Sequence, residues 1–253
     1  MQTEKLLKCV LDLGEQMLIC GAEISRVEDT IKRVTAAYGC PGTDVFVITS
    51  VIFLSLENED GTCVTGNRRV TKYDTNLDKL HAYNDLSRKI CRTLPDESDV
   101  EEEIAKIKAQ KPYPLPVGCA IYALTAGAFA VFFGGGWRDA IAAAVIGAII
   151  RIIVYFQSKT KVNMVFNNVV SSAVLTLLAF LTVKAFPGCE ASKIIIGGIM
   201  LLIPGVALTN SIRDVISGDI VSGMLRFAEA MIIALAIAAG YILVSVVFGG
   251  GAI

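Results

Sequence analysis

The sequence predicts an α-helical membrane protein of about five transmembrane helices with an N-terminal cytoplasmic α+β domain. The 253 residues are 54% hydrophobic and 19% charged, and their mean hydropathy is +0.60. These values are too apolar for a soluble domain of this length. Nearly all the acidic residues precede Pro112. We therefore expect the cytoplasmic domain at residues 1–111 and the membrane domain at residues 112–253.

The N-terminal part shows helical periodicity first and strand-forming sequence afterwards. Apolar residues recur at spacings of three, four or seven from Thr3 to about Tyr38, which predicts one amphipathic helix or a closely spaced pair. Residues 44–56 are rich in β-branched and aromatic residues, with a bend favoured at Thr49 and Ser50. Further predicted elements are a turn at 58–61, short strands at 62–65 and 68–73, and helices at 76–91 and 97–109. Together they predict a small antiparallel sheet covered by the N-terminal helix.

Five apolar stretches after Pro112 have close to the ~20 residues that cross ~30 Å of hydrocarbon. They lie near residues 115–133, 140–156, 165–186, 194–208 and 227–248. Lysine and arginine are enriched on the cytoplasmic side of membrane proteins. With the N-terminus inside, the inner flanks hold Lys106, Lys108, Lys111, Lys159, Lys161, Arg213 and Arg226, and the outer flanks hold Arg138, Lys184 and Lys193. We therefore expect a cytoplasmic N-terminus and an external C-terminus.

Charge, cysteine usage and motifs exclude several classes of function. A net charge of -1 gives no sign of nucleic-acid binding. The seven cysteines include no CxxC pair, which favours reduced thiols over a disulfide framework. His81 is the only histidine, and the sequence has no GxSxG, HExxH, Walker A or GxGxxG motif. We expect neither an enzyme nor a bound metal or cofactor.

The segment from Ser192 to Glu229 contains the candidate site. Pro204 and Gly205 interrupt an apolar run there, and a broken helix leaves backbone dipoles free to face a solute. Arg213 would bind a carboxylate, and Asp214 an ammonium group or a proton. The predicted binding set for a small amino acid or dicarboxylate is Pro204, Gly205, Thr209, Asn210, Arg213, Asp214 and Asp219. A cytoplasmic turn whose charges cap helices is an equally open interpretation.

Other polar residues in the membrane part are candidates for gating or coupling. Arg226 and Glu229 are three positions apart and predict an ion-pair gate at the start of the last span. Arg151 either extends to the inner interface or lies in a solute pathway. Asn167 and Asn168 either hold neighbouring helices together or contact the solute.

The N-terminal helical region contains a further polar motif, GAEISRVEDTI at residues 21–31. One interpretation is that Glu23, Arg26 and Glu28 form ion pairs on a packed helix. In the other interpretation these side chains contact the membrane domain or a partner protein.

Three motifs resemble the threonine/serine exporter family. They are GAEISRVEDTI at residues 21–31, GGGWRD at 134–139 and LIPGVALTNSIRDVISGD at 202–219. The last motif is the most specific because its Pro-Gly, Thr-Asn, Arg-Asp and Gly-Asp pairs all occur in order. The chain is similar to the five-span half-protein of the two-component form of this family.

The resemblance implies export of threonine and serine, or of a dicarboxylate such as succinate, across the bacterial plasma membrane. It also implies coupling to the proton gradient and a partner, the second-half membrane subunit of the same exporter. We further expect an oligomer in the lipid bilayer. Two alternatives are a membrane-anchored hydrolase whose chemistry lies in the N-terminal domain, and a regulatory subunit that does not itself transport.

Overall fold

The computed structural model describes residues 2–40, 42–57, 61–160 and 162–248. Its helices are α1 (Thr3–Ile19), α2 (Ile24–Ala37), α3 (Leu77–Thr93), α4 (Glu97–Lys108), α5 (Leu115–Phe132), α6 (Trp137–Gln157), α7 (Met164–Ala185), α8 (Ala191–Ile199), α9 (Gly205–Ile216) and α10 (Ile220–Phe248). Its strands are β1 (Thr43–Ile48), β2 (Val51–Glu57) and β3 (Cys63–Arg69).

The chain divides into two compact units that are not contiguous in sequence. The first unit comprises Met1–Lys111 and Gly205–Ala228, and the second comprises Pro112–Pro204 and Glu229–Ile253. The first unit therefore includes α9 and the start of α10, which the sequence had placed in the membrane part. The boundary after Lys111 coincides with the charge boundary in the sequence.

The first unit is an antiparallel sheet, in the order β1-β2-β3, with helices packed on one face. Side chains alternate between the two faces of a strand, so Ile52, Leu54 and Leu56 of β2 are buried in the core. Phe53 lies on the opposite face and is 46% exposed. The N-terminal helical region is the closely spaced pair α1 and α2, which was one of the two predicted arrangements.

The strand boundaries confirm the bend that the sequence predicted between β1 and β2. The prediction of two short strands at residues 62–65 and 68–73 is wrong, because one continuous strand, β3, replaces them. Gly66 and Asn67, which lie between the two predicted strands, instead continue the ladder opposite Leu54 and Phe53 of β2. The predicted turn at residues 58–61 lies mostly outside the described residues.

Helices α3 and α4 occupy the two segments that the sequence predicted to be helical. The side chain of Asn76 caps α3 by accepting the N–H of Lys79 at 3.0 Å. The helix ends at Thr93, and its C-cap residue Leu94 has a left-handed φ of 47°; Pro95 follows. Both helices add buried aliphatic side chains to the core of the first unit.

The second unit is built from α5, α6, α7 and α8 with the later part of α10. Small residues occupy its interior, and Ala126, Ala130, Ala143 and Ala179 are fully buried. Small residues let helix backbones approach closely where the apolar solvent provides no hydrophobic driving force. These alanines share the core of the second unit with larger aliphatic side chains such as Ile150 and Leu175.

Within the described residues, four helices are long and apolar enough to cross a membrane, namely α5, α6, α7 and α10. They agree with the first, second, third and fifth predicted spans, although α10 begins earlier, at Ile220. The fourth predicted span is not one helix, because α8 ends at Ile199 and α9 begins at Gly205. Pro204 lacks an N–H and disfavours a helical residue before it. The predicted external C-terminus, residues 249–253, lies outside the described residues.

Candidate functional site

The candidate site is centred on the turn between α1 and α2. Gly21 has a φ of +91°, a left-handed conformation that favours glycine. A helix end leaves backbone groups without partners inside the helix. The carbonyls of Gly21 and Ala22 and the N–H of Ile24 therefore need partners from elsewhere in the first unit.

Side chains from α9 and α10 bind the two carbonyls of this turn. Asn210 Nδ2 donates to the carbonyl of Gly21 at 2.9 Å. Arg226 Nη2 donates to the carbonyl of Ala22 at 2.7 Å. Asn210 of the C-terminal motif thus meets Gly21 of the N-terminal motif, and Arg226 of α10 meets the neighbouring Ala22.

Asp214 lies at the centre of these contacts and is fully buried. Its Oδ1 accepts the N–H of Ile24 at 3.1 Å, and its Oδ2 is 3.0 Å from Arg226 Nη1. Among the described residues, Asp214 Oδ2 and Arg226 Nη1 have no hydrogen-bond partner, so the ion pair is the only polar contact of either atom there. Burial raises the pKa of Asp214 above its ordinary value, while Arg226 and the Ile24 N–H act to lower it. Each buried charge therefore depends on the other for compensation.

Arg213 pairs with Glu23, which adds a third contact between the two motifs. The Arg213 side chain is 55% exposed, so water screens this pair more than the Asp214–Arg226 pair. Glu28 instead accepts the N–H of Val47 at 3.0 Å, and burial raises the pKa of Glu28. Arg26 is exposed. Of the three candidate residues in the N-terminal motif, namely Glu23, Arg26 and Glu28, Glu23 contacts the C-terminal motif.

The remaining residues predicted to bind a solute lie nearby on the chain. Pro204 precedes α9 and Gly205 begins it. The Thr209 hydroxyl donates to the Gly205 carbonyl of its own helix at 3.0 Å. Asp219 follows α9, and burial raises its pKa. Solute binding by these residues stays a prediction.

The predicted pair between Arg226 and Glu229 is not among the ion pairs of the described residues. Arg226 turns towards Asp214 instead, and Glu229 is exposed. An exposed pair at this spacing contributes only about 0.2–0.5 kcal/mol, whereas Arg226 compensates a buried carboxylate. The prediction that Arg226 and Glu229 form an ion pair is therefore wrong. A gating role for either residue stays a prediction.

The two asparagines of α7 lie beside a polar residue of α6 that the sequence analysis missed. Gln157 Nε2 donates to the backbone carbonyl of Asn167 at 3.2 Å, and Ser171 Oγ donates to Gln157 Oε1 at 3.0 Å. Asn168 donates to Met164 of its own helix. These contacts join α6 and α7 through Gln157, Ser171 and the backbone of Asn167, so both interpretations of the two asparagine side chains stay predictions.

A second missed residue is Asp139, which is buried near the start of α6. Its carboxylate accepts the N–H groups of Gly136 and Glu190, each at 2.8 Å. It thereby joins the loop before α6 to the loop before α8. The signal was present in the GGGWRD motif, where an acidic residue stands three positions after the N-cap glycine. Among the described residues, no group of three or more His, Cys, Asp or Glu could hold a metal ion.

The chain matches the family described as "Putative threonine/serine exporter" over residues 8–248. It belongs to the threonine/serine exporter family. This match takes in both motifs that meet at the Asp214 network. Together with the apolar helices, family membership makes the chain a multi-pass membrane protein. No solved structure matches the chain.

Relatives of this family member differ in length. The "Threonine/serine exporter" of Corynebacterium glutamicum is 33% identical over 238 residues, which cover 90% of this chain and 48% of the relative. A "Probable threonine/serine exporter" of Mycobacterium tuberculosis is 25% identical, with 96% and 46% covered. A "Probable succinate transporter subunit YjjP" of Klebsiella aerogenes is 24% identical, with 98% and 94% covered. The chain thus spans about half of the two exporters and nearly all of the subunit. The three relatives carry the names of transporters.

Proposed function

We propose that this chain is a subunit of a secondary transporter that exports a small carboxylate-bearing metabolite across the bacterial plasma membrane. The observation that carries the proposal is the buried Asp214–Arg226 ion pair, which lies after an interrupted helix in a member of an exporter family. Buried charges and broken helices are features of solute and ion pathways in transporters.

The substrate class follows from chemistry that the relatives' names share. Threonine, serine and succinate all carry a carboxylate, and threonine and serine also carry an ammonium group. We propose Arg213 as the partner of the carboxylate and Asp214 or Asp219 as the partner of an ammonium group or proton. Asn210 and Thr209 would orient the solute. Because Glu23 already pairs with Arg213, the solute would compete with this carboxylate.

The competition between Glu23 and the solute can be tested with Glu23→Gln. Removal of the competing charge should free Arg213 and lower the apparent KM for export several-fold. This change corresponds to the free energy of an exposed ion pair. Initial export rates over a range of cytoplasmic solute concentrations give this KM. Asp29→Asn, which removes the exposed partner of Arg33, is the matched control. An unchanged KM in Glu23→Gln would exclude Arg213 as the carboxylate partner.

We also propose a second membrane subunit of the same family as partner. The support is the difference in length between relatives, because this chain covers 94% of a protein named as a subunit and 48% of one named as an exporter. Co-purification from the native membrane, followed by mass spectrometry, tests this partner. Recovery of this chain without any other polytopic membrane protein of the family would contradict it.

The proposed topology has five crossings, with a cytoplasmic N-terminus and an external C-terminus. Residues 194–208 would then cross as an interrupted helix. An odd number of crossings places the two termini on opposite sides of the membrane. A reporter that is active only outside the cytoplasm, fused after residue 253, should therefore be active, and the same reporter at the N-terminus should be inactive. Equal activity at both ends would contradict the fifth crossing.

The decisive experiment for export is the variant Asp214→Asn in cells that depend on this chain for export. We expect export to fall about tenfold or more, because a buried arginine loses its countercharge. Asp85→Asn, which removes the exposed partner of Arg88, is the matched control and should export normally. Membrane levels of both proteins are measured by immunoblot. Normal export by Asp214→Asn at normal membrane level would overturn the proposed role of the pair.

A double variant separates structural damage from loss of transport. Asp214→Leu combined with Arg226→Met removes both charges, and apolar replacement of a buried ion pair is often neutral or stabilising. We expect the double variant to regain normal stability while export stays low. Full recovery of export would show that the pair acts in folding alone.

A further inference from the structure

Arg151 differs from Arg213 and Arg226, which both pair with a carboxylate, because its charge forms no ion pair among the described residues. It lies within α6, an apolar helix long enough to cross a membrane. The second unit carries three acidic residues, Asp139, Glu190 and Glu229, and in the described part of the chain none of them forms an ion pair with Arg151. Arg151 Nε is buried and has no hydrogen-bond partner among the described residues.

The guanidinium of Arg151 is directed towards α5. Its central carbon lies 5.5 Å from the centre of the Tyr122 ring. A Cβ atom at Gly118 would lie 2.6 Å from Arg151 Nε and 3.4 Å from Nη2, so the missing side chain of Gly118 leaves room for the guanidinium. Gly118 and Tyr122 are four positions apart and share one face of α5. The arginine therefore occupies a place that α5 provides.

An unpaired cation inside an apolar helix is costly and usually marks a functional site. Guanidinium N–H groups form a planar fork that matches a carboxylate. The ring of Tyr122 contacts one face of the cation by a cation–π interaction, and this contact leaves the N–H groups at the edge of the fork free to bind an anion. By contrast, Arg213 and Arg226 already pair with Glu23 and Asp214.

We infer that Arg151 provides a further contact for the carboxylate of the exported solute, in addition to the one proposed at Arg213. This contact lies at the cytoplasmic entrance of the second unit, where Gly118 and Tyr122 position the guanidinium. This inference rests on the proposed function and orientation. Arg151 is six residues from the end of α6, or about 9 Å along the helix. In the proposed topology that end is cytoplasmic, where an exporter first meets its solute.

Binding of succinate and of L-threonine to the full chain, in nanodiscs of neutral phosphatidylcholine, tests the site directly. Arg151→Gln should raise the Kd of the solute that binds by roughly tenfold to a hundredfold, the usual effect of losing a charged hydrogen-bond donor. Arg151→Lys should lie between wild type and Arg151→Gln, because an ammonium keeps the charge and loses the fork. Gly118→Ala should also raise the Kd, because its methyl group displaces the guanidinium.

Lys159→Gln is the matched control because Lys159 Nζ lies over the Tyr155 ring at 4.3 Å, near the end of the same helix. This variant removes a cation stacked on a tyrosine and should leave the Kd unchanged. In cells, Arg151→Gln should raise the KM for export by the same factor as the Kd, with a smaller change in the maximal rate. A folding defect alone would lower the maximal rate of export without raising the KM and the Kd by the same factor.

The outcomes separate the inference from the proposed function. Export by the wild type with an unchanged Kd and KM in Arg151→Gln would overturn the inference and leave the proposed function intact. Failure of the wild type both to export and to bind either solute would overturn the two together. If Arg151→Gln weakens only the binding of anionic phosphatidylglycerol, the arginine is a lipid contact and the inference fails.

Discussion

The two units of the protein place their arginines in opposite situations. In the first unit, Arg226 pairs with a buried carboxylate and binds a backbone carbonyl. In the second unit, Arg151 contacts an aromatic ring and has no carboxylate partner among the described residues. The charge of Arg226 is therefore compensated by a carboxylate, whereas the charge of Arg151 is compensated by an aromatic ring.

The interiors of the two units also differ in how closely the backbones of neighbouring elements approach. The core of the first unit contains large aliphatic side chains such as Ile52 and Leu54. Helices of the second unit meet through alanine and glycine, and a Cβ atom at Gly240 would lie 2.3 Å from the carbonyl oxygen of Val169. Burial of large side chains stabilises the first unit, and the second unit adds close contact between helix backbones to the burial of residues such as Ile150.

The largest effect on stability is expected for Asp214→Ala. Removal of one partner of a buried ion pair leaves the charge of Arg226 uncompensated and costs about 3–5 kcal/mol. The free energy of unfolding in detergent, measured with urea, checks this value. Asp219→Ala is the control, because Asp219 is partly exposed and should cost far less. Equal losses in the two variants would show that charge pairing is not what stabilises the first unit.

A comparable or slightly smaller loss is expected for Ile52→Ala in the core of the first unit. Ile52 is fully buried, and such a truncation costs about 2–5 kcal/mol because it leaves a cavity. Phe53→Ala on the exposed face of the same strand is the control and should cost much less. Thermal unfolding followed by circular dichroism measures both. A larger loss in Phe53→Ala would mean that another surface covers the outer face of the sheet.

An intermediate effect is expected for Gly240→Ala in the second unit. The new methyl group would meet the backbone of α7, which cannot move away as a flexible side chain could, and the cost should be about 1–3 kcal/mol. Gly205→Ala is the control because a Cβ atom there has nothing within 4 Å. Unfolding temperatures in detergent distinguish the two variants. Equal temperatures would contradict the close approach of α7 and α10.

The smallest effect is the pH dependence that Glu28 contributes. Burial raises the pKa of Glu28 in the folded protein, so the folded state holds this proton to a higher pH than the unfolded state does. Stability from this group is therefore present at low pH and declines as the pH rises through the unfolded and then the folded pKa. Glu28→Gln keeps an acceptor for the Val47 N–H and removes the titration.

We expect Glu28→Gln to gain stability relative to wild type as the pH rises above about 4, the ordinary range of a glutamate pKa, and the gain to level off above the raised pKa of the folded state. Urea unfolding of both proteins at several pH values measures the change. Glu57→Gln, on the exposed side of β2, is the control. A constant difference between wild type and Glu28→Gln at all pH values would show that the Glu28 carboxyl has the same pKa in both states.

Local sequence pattern was enough for most of the secondary structure. Periodicity predicted α1 to α4, and the pair of Thr49 and Ser50 correctly marked the end of β1. The pattern failed at Gly66 and Asn67, because the pairing of β3 with β2 outweighs their preference for a turn. Pro204 predicted the break before α9. The sequence did not show that this break divides the fourth predicted span between two helices, α8 and α9.

The candidate site was predictable in its residues and not in its contacts. The motifs drew attention to Asn210, Arg213 and Asp214 because polar residues are rare in apolar sequence. Their partners in the turn at residues 21–24 are about 190 positions away, and no local pattern shows which of two distant segments will meet. Gln157 was missed because a single glutamine at a helix end is unremarkable on its own.

The separation between Ile24 and Asp214, 190 positions along the chain, affects how the protein is made. A ribosome adds about 5–20 residues per second, so the turn at residues 21–24 waits roughly 10–40 s for its partners to be synthesised. Helices α5, α6 and α7 are translated during this interval. The first unit can therefore be completed only after the apolar helices have left the ribosome. A chain truncated before Asp214 would expose the unsatisfied turn, a defect that quality-control proteases could recognise.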